Sequence, residues 1–187
     1  MFSSTTLGPI TLKNRVVMAP MTRNRALGNV PNELMATYCA QRADAKAIGG
    51  ERVGIRVSPY GAFNEMTPDP ETDALYLHLA NELSALGLAY LHVVDHSSMG
   101  VPEVSPALKA TLRATFKGAY ILSGGYDRAR AEADLTEGNG DLVAFGRPYL
   151  ANPRLAHLLE AGGTLAAPDF ATFYTPGEKG YTDYPIV

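Results

Sequence analysis

An α/β fold built on a parallel sheet is the architecture this chain predicts, and three observations predict it. Short apolar runs alternate with amphipathic helical segments five times along the chain. Such alternation calls for right-handed crossovers between parallel strands. Helical stretches are punctuated by residues that start or stop helices, most clearly Asp69-Pro70 before and Gly87 after the helix of the second strand–helix pair. Four of the apolar runs end in Pro or Gly: Pro20, Ser58-Pro59, Gly124-Gly125 and Gly146. Pattern alone leaves two architectures open, a segment of a (β/α) barrel and an open doubly wound sheet. A complete eight-unit barrel usually needs about 250 residues and rarely fewer than about 200, so the 187 residues here hold at most part of one.

The elements follow in order. Residues 16–19 form a strand ending at Pro20, and residues 32–45 a helix with Leu34, Met35, Tyr38 and Cys39 along one side. Residues 52–57 form a second strand. The helix over 70–86 is the clearest: Leu75, Leu79, Leu83 and Leu86 recur at helical spacing, Asp69 suits the N-cap, Pro70 the first position and Gly87 the stop. Strands are expected at 88–94, 120–122 and 142–145, and helices at 106–116 and 127–137. A last helix, capped by Asn152-Pro153, runs through Leu155, Leu158 and Leu159 to Gly162. The polar, turn-rich stretch 1–14 has neither a basic region nor an apolar one, so no signal peptide is expected. The whole is expected to form one domain over 1–187.

Composition excludes several classes. The chain is 46% hydrophobic and 19% charged, with a net charge of −3, and its Lys and Arg form no basic block. No nucleic-acid partner is expected. No apolar run approaches the roughly 20 residues of a membrane span, so no membrane partner is expected either. The single cysteine, Cys39, excludes an intrachain disulfide, lies in an apolar helical pattern that suits packing, and makes the cytoplasm the default compartment.

In parallel α/β folds ligands sit at the carboxyl ends of the strands. Gly124-Gly125 and Gly146-Arg147 stand at two such ends. Glycines let a backbone approach an anion and aim N–H groups at it. A helix start just beyond adds partial positive charge, and Arg147 adds a guanidinium that can grip a phosphate through two hydrogen bonds. A simple turn-forming role for the glycines remains the alternative. In 52–58, Val53, Ile55 and Val57 share one face and Gly54, Arg56 and Ser58 the other. A partly buried Arg56 needs a partner, either a bound anion or a carboxylate in a structural ion pair. Thr22, after a strand and a proline, is a donor to a ligand or a turn cap. Tyr174 lines a pocket or covers the core edge.

Taken together in order, these segments resemble the old yellow enzymes. The run LKNRVVMAPMTR at 12–23, YCAQRA at 38–43, RVGIRVSP at 52–59 and GAFNEM at 61–66 match the opening and the fifth strand of that family. DLVAFGRPYLANP at 141–153 resembles its eighth strand and helix, and TFY at 172–174 with GYTDYP at 180–185 its tail. The resemblance implies an FMN-binding (β/α)8 barrel that reduces activated alkenes, enones among them, with NAD(P)H. It implies flavin contacts from Pro20, Met21 and Thr22, Arg56 at the flavin's pyrimidine edge, a phosphate held by Gly124, Gly125, Gly146 and Arg147, and Tyr174 in the substrate pocket.

The departure from the family concerns its second to fourth β–α units, which are absent between about residues 45 and 46. With them go the family's flavin-contacting glutamine, its His/Asn or His/His pair that anchors the substrate oxygen, and the tyrosine that protonates the alkene. His78 and Asn81 repeat the H-x-x-N spacing, but in mid-helix, where it reads as coincidence. His92, His96 and His157 match no catalytic motif and no metal constellation. The expected fold is thus an incomplete TIM-like barrel of about five parallel units, and its open strand edges invite self-association. Three readings follow: an FMN oxidoreductase impaired by the loss, a catalytically inactive flavin-binding or assembly module, and a truncated product without function.

Overall fold

The computed structural model of the chain describes residues 5–7, 10–12, 50–62, 69–173 and 179–185. Two strands, β1 (Thr5–Leu7) and β2 (Ile10–Leu12), pair antiparallel with Leu7 opposite Ile10. Four further strands, β3 (Gly54–Val57), β4 (Tyr90–Val94), β5 (Ala119–Ser123) and β6 (Leu142–Ala144), form one parallel sheet in the order β3-β4-β5-β6. The helices are α1 (Thr72–Ala85), α2 (Pro106–Thr115), α3 (Arg128–Thr136), α4 (Arg147–Ala151) and α5 (Leu155–Ala161). The expected strand 16–19 and helix 32–45 lie outside the described residues, as does Cys39.

Strand order separates the two architectures that pattern left open. A doubly wound sheet reverses its order at a switch point and carries helices on both faces. Here the strands follow one another in chain order, and right-handed crossovers then put every helix on the same side. The core lies on that side alone: Leu91, Val93, Tyr120 and Leu122 from the sheet pack with Ala80, Leu83, Leu108, Leu112 and Phe116 from beneath α1 and α2. Val53, Ile55 and Val57 join the same core, as their period-two spacing predicts. Burying side chains of this size contributes about 1.5–3 kcal/mol each. The opposite face carries Arg56 and His92 at one level of the register and is left exposed at Tyr90 and Leu142. A parallel segment with helices on one face is the wall of a barrel.

Several local expectations need correction. α1 begins at Thr72 rather than at Pro70. Asp69 still shapes its entry, accepting from the Glu71 amide at 2.7 Å through its side chain and from Thr72 Oγ1 through its carbonyl, so it makes a turn ahead of the helix. Leu86 is half exposed and lies beyond the last turn, and the buried stripe is Thr72, Ala80 and Leu83 with Tyr76 and Leu79 beside it. Asn152 does not cap α5. It is buried, and its amide joins α4 to the chain after α5, donating to Pro148 O and Ala166 O and accepting from Ala166 N. The hairpin β1–β2 is a strand pair where only polar turns were expected; its threonines, Ile10 and the Gly8-Pro9 between the runs are the signal for it.

Candidate functional site

Strand register brings the two glycine turns together. Ser123 of β5 pairs with Ala144 of β6, so Gly124-Gly125 and Gly146-Arg147 leave adjacent strands at nearly the same level. Their surroundings differ. Gly124 has φ +134°, and a Cβ there would lie 2.5 Å from the Asp95 carbonyl oxygen. Gly125 has φ +62°, with a Cβ position 2.8 Å from Ser98 Cβ. Both are therefore demanded by backbone conformation and by the β4–α2 loop packed against them. A Cβ on Gly146, in contrast, would meet no atom within 4 Å. That turn opens onto free space at the strand end.

The source of positive charge is narrower than the sequence suggests. The N-terminus of α3 is met by its own cap, since Asp127 Oδ1 accepts from the Arg130 amide at 2.8 Å. α4 is only five residues long. Neither helix is thus a free anion site, and attraction for an anion comes from arginines. Arg147 is half-buried, lies 5.5 Å over the Phe170 ring, and meets no carboxylate among the described residues. Phe170 in turn stacks on Phe173 at 4.8 Å between centroids. Arg56 is exposed rather than partly buried, because the core lies on the opposite face of β3. Among the described residues no carboxylate pairs with it either, so a structural ion pair does not account for it there.

Two histidines that sequence motifs leave without a role stand between these arginines. His92 is level with Arg56 on the next strand. Burial, followed by the Arg56 charge, holds its pKa below the ordinary 6.5, and its Nε2 is buried without a hydrogen-bond partner. His96, just past β4, lies with Nε2 3.4 Å from Ser58 Oγ. Burial lowers its pKa first; Arg56 and Arg147 lower it further, against an opposing pull from Asp95. Both imidazoles are therefore neutral near pH 7, and both arginines act on His96 electrostatically. The signal for His92 was available: it alternates with Leu91 and Val93, which puts it on the Arg56 face.

Pro20, Met21, Thr22 and Tyr174 lie outside the described residues. His78 and Asn81 are both exposed on α1, remote from the strand ends, and Asn81 merely donates to Leu77 O. His157 is exposed on α5. Among the described residues no group of His, Cys, Asp and Glu could hold a metal ion, and no helix is long and apolar enough to cross a membrane.

Fold and site together define the class: a barrel-wall α/β segment with two arginines at the ligand end of its strands. Comparison with known proteins agrees. The profile of the NADH:flavin oxidoreductase / NADH oxidase family matches residues 1–47 and 45–165. The chain is 37% identical over 161 residues to 12-oxophytodienoate reductase 2 of Arabidopsis thaliana, covering 84% of this chain and 43% of that one. It is 35% identical over 162 residues to a probable flavin mononucleotide-dependent alkene reductase of Leishmania infantum, with 86% and 43% covered. The solved structure of morphinone reductase in complex with tetrahydroNAD superposes with a TM-score of 0.74 at 38% identity, over 88% of this chain and 44% of that one. The chain belongs to the NADH:flavin oxidoreductase family, the old yellow enzymes. It spans less than half the length of these relatives.

Proposed function

We propose that the chain binds FMN at the carboxyl ends of β3–β6 and acts as an FMN-dependent, NAD(P)H-using oxidoreductase on activated alkenes, with turnover impaired by a missing catalytic segment. The observation that carries this reading is the pair Arg56 and Arg147, both felt by His96 and neither paired with a carboxylate among the described residues. The phosphate of FMN is anionic and the N1–C2=O edge of its ring gains negative charge on reduction, and two guanidiniums without carboxylate partners among the described residues suit them. The open space at Gly146 suits a close backbone approach.

In this reading Gly124, Gly125, Gly146 and Arg147 hold the phosphate, and Arg56 faces the pyrimidine edge. Pro20, Met21 and Thr22 contact the ring, and Tyr174 lines the substrate pocket. Bound FMN would supply the two-electron redox chemistry. The residues of this chain bind and orient it, and the neutral His92 and His96 keep the positive charge of the site on the arginines. The names of the relatives, reductases of 12-oxophytodienoate and of alkenes, support an activated alkene such as an enone as substrate class. The tetrahydroNAD complex of morphinone reductase supports a nicotinamide reductant. The family profile matching in two pieces supports an internal junction near residues 45–46. Self-association through strand edges and a cytoplasmic location belong to the same reading.

A second reading, a catalytically inactive flavin-binding or assembly module, is favoured by the 43% share of its relatives that the chain spans. The absorbance spectrum of the purified chain tests the common ground of both. Visible flavin bands that release FMN on denaturation are expected. A colourless protein that takes up no added FMN overturns the first reading and the flavin-binding form of the second, leaving an assembly module; with flavin bound, turnover separates the two.

A further inference from the structure

The phosphate glycines do not stand alone. Asp95, the first residue after β4, is 2% exposed and does three things at once. Its amide donates to Ser123 O at 3.0 Å, tying the end of β4 to the end of β5 directly before the glycines. Its Oδ1 accepts from the Ser97 amide at 2.9 Å, which fixes the turn through His96 and Ser98. Its Oδ2 lies 2.6 Å from Lys109 Nζ on α2. The backbone that this carboxylate fixes is the surface on which Gly124 and Gly125 sit: the Asp95 carbonyl at one, Ser98 Cβ at the other. α2 is a stable anchor, held down by buried Leu108 and Leu112 and capped by Ser105, which accepts from Leu108 N.

We infer that the Asp95–Lys109 ion pair is a positioning device for the phosphate end of the cofactor site, pinning the β4–α2 loop so that Gly124-Gly125 present their backbone in one fixed conformation. The inference rests on the FMN reading above and extends it to two residues that touch neither phosphate nor ring. Buried ion pairs of this kind add little net stability over apolar replacements, whereas removing one partner leaves a buried charge unpaired. A role in fixing geometry accounts for the buried carboxylate and its partly buried ammonium partner. The other charged groups near the pair are few. Among the described residues, exposed Glu103 shares Lys109 at 3.4 Å, and Asp134, held by Tyr126 and Asn139, also feels the Lys109 charge.

The test compares FMN with riboflavin, which has the same ring system and lacks the phosphate. The variants are Lys109→Arg, which keeps the charge, and the double change Asp95→Asn with Lys109→Met, which removes both charges and leaves none buried alone. Flavin fluorescence quenching on the full chain gives both dissociation constants, and the melting temperature is followed in parallel. The double variant is expected to bind FMN roughly tenfold more weakly while riboflavin affinity stays within about twofold, and Lys109→Arg is expected to restore FMN binding. Equal weakening of both ligands, or unchanged FMN binding, overturns the positioning role. If the double variant does not fold, Lys109→Arg and Lys109→Gln are compared, and an identical FMN to riboflavin ratio in both overturns it. Failure of the unaltered chain to bind either flavin refutes the FMN reading itself and this inference with it. A loss confined to the variants' FMN binding supports both.

Discussion

Arg147 meets an aromatic ring and no carboxylate among the described residues, so its guanidinium is open to an anion. Arg147→Ala removes a charge-assisted, two-pronged contact worth about 1.5–3 kcal/mol. The expected outcome is a rise in the FMN dissociation constant of roughly ten- to a hundredfold, measured by fluorescence quenching; an unchanged constant refutes the phosphate assignment. The histidines supply a second prediction. Burial and the neighbouring arginines hold His92 and His96 below their ordinary 6.5 in the folded chain. An unfolded chain therefore takes up protons near pH 6.5 that the folded chain does not. Their contribution to stability is fully present above pH 6.5 and is lost as pH falls toward the folded pKa values. The melting temperature should thus fall between pH 7 and pH 5, with a shallower fall in a variant carrying His92→Asn and His96→Asn. Equal slopes would show that other groups govern this window. At this scale the sequence makes Arg56, Arg147 and the glycines legible, because charge and conformational freedom are properties of single residues. It leaves His92, His96 and Asp95 obscure, because their roles come from neighbours on other strands.

At the scale of elements, β3 to β6 and α1, α2, α3 and α5 lie close to where periodicity and punctuation put them, α4 was not among the expected helices, and two departures come from residues that can cap a helix being taken by other contacts. Asn152 is the clearest case: Asn-Pro ahead of an apolar run reads as a helix start, yet the buried amide makes three hydrogen bonds of 2.8–3.0 Å to Pro148 and Ala166. Asn152→Leu keeps the branching at Cγ, removes the amide and strands those backbone groups. A loss of about 2–4 kcal/mol is expected, read as a lower urea midpoint with an unchanged slope. A shift under about 0.5 kcal/mol would place the residue among ordinary surface polar positions. The same competition moves the start of α1 past Asp69-Pro70, whose side chain and carbonyl are spent on a turn.

For the whole molecule under the proposed reading, the question is what the chain can catalyse without the family's second to fourth β–α units. An anchor for the substrate oxygen and a proton donor each contribute factors of roughly 10² to 10⁴. Among the described residues the strand ends offer arginines and neutral imidazoles, with no counterpart of the family's His/Asn pair. Prereduced, FMN-loaded chain mixed with cyclohexenone in a stopped-flow instrument should reoxidise at least about a hundredfold more slowly than a full-length relative. A rate matching the relative would refute the impairment and direct attention to His96 beside Ser58 as a substitute donor.

By itself the sequence determined the α/β class, the order of β3 to β6 and of the helices between them, the inward face of β3, and the family. Each of these follows from local periodicity, turn chemistry or an ordered set of short motifs, all written along the chain. Pattern alone left barrel wall and doubly wound sheet open, the family resemblance implied the barrel, and the tertiary structure bears that out with strands in chain order and one buried face. It alone set Arg56 level with His92, brought Arg56 and Arg147 to bear on His96, and seated Gly124-Gly125 on the Asp95 loop. Such relations depend on register between strands and on crossovers tens of residues long. No local window of the sequence contains both partners.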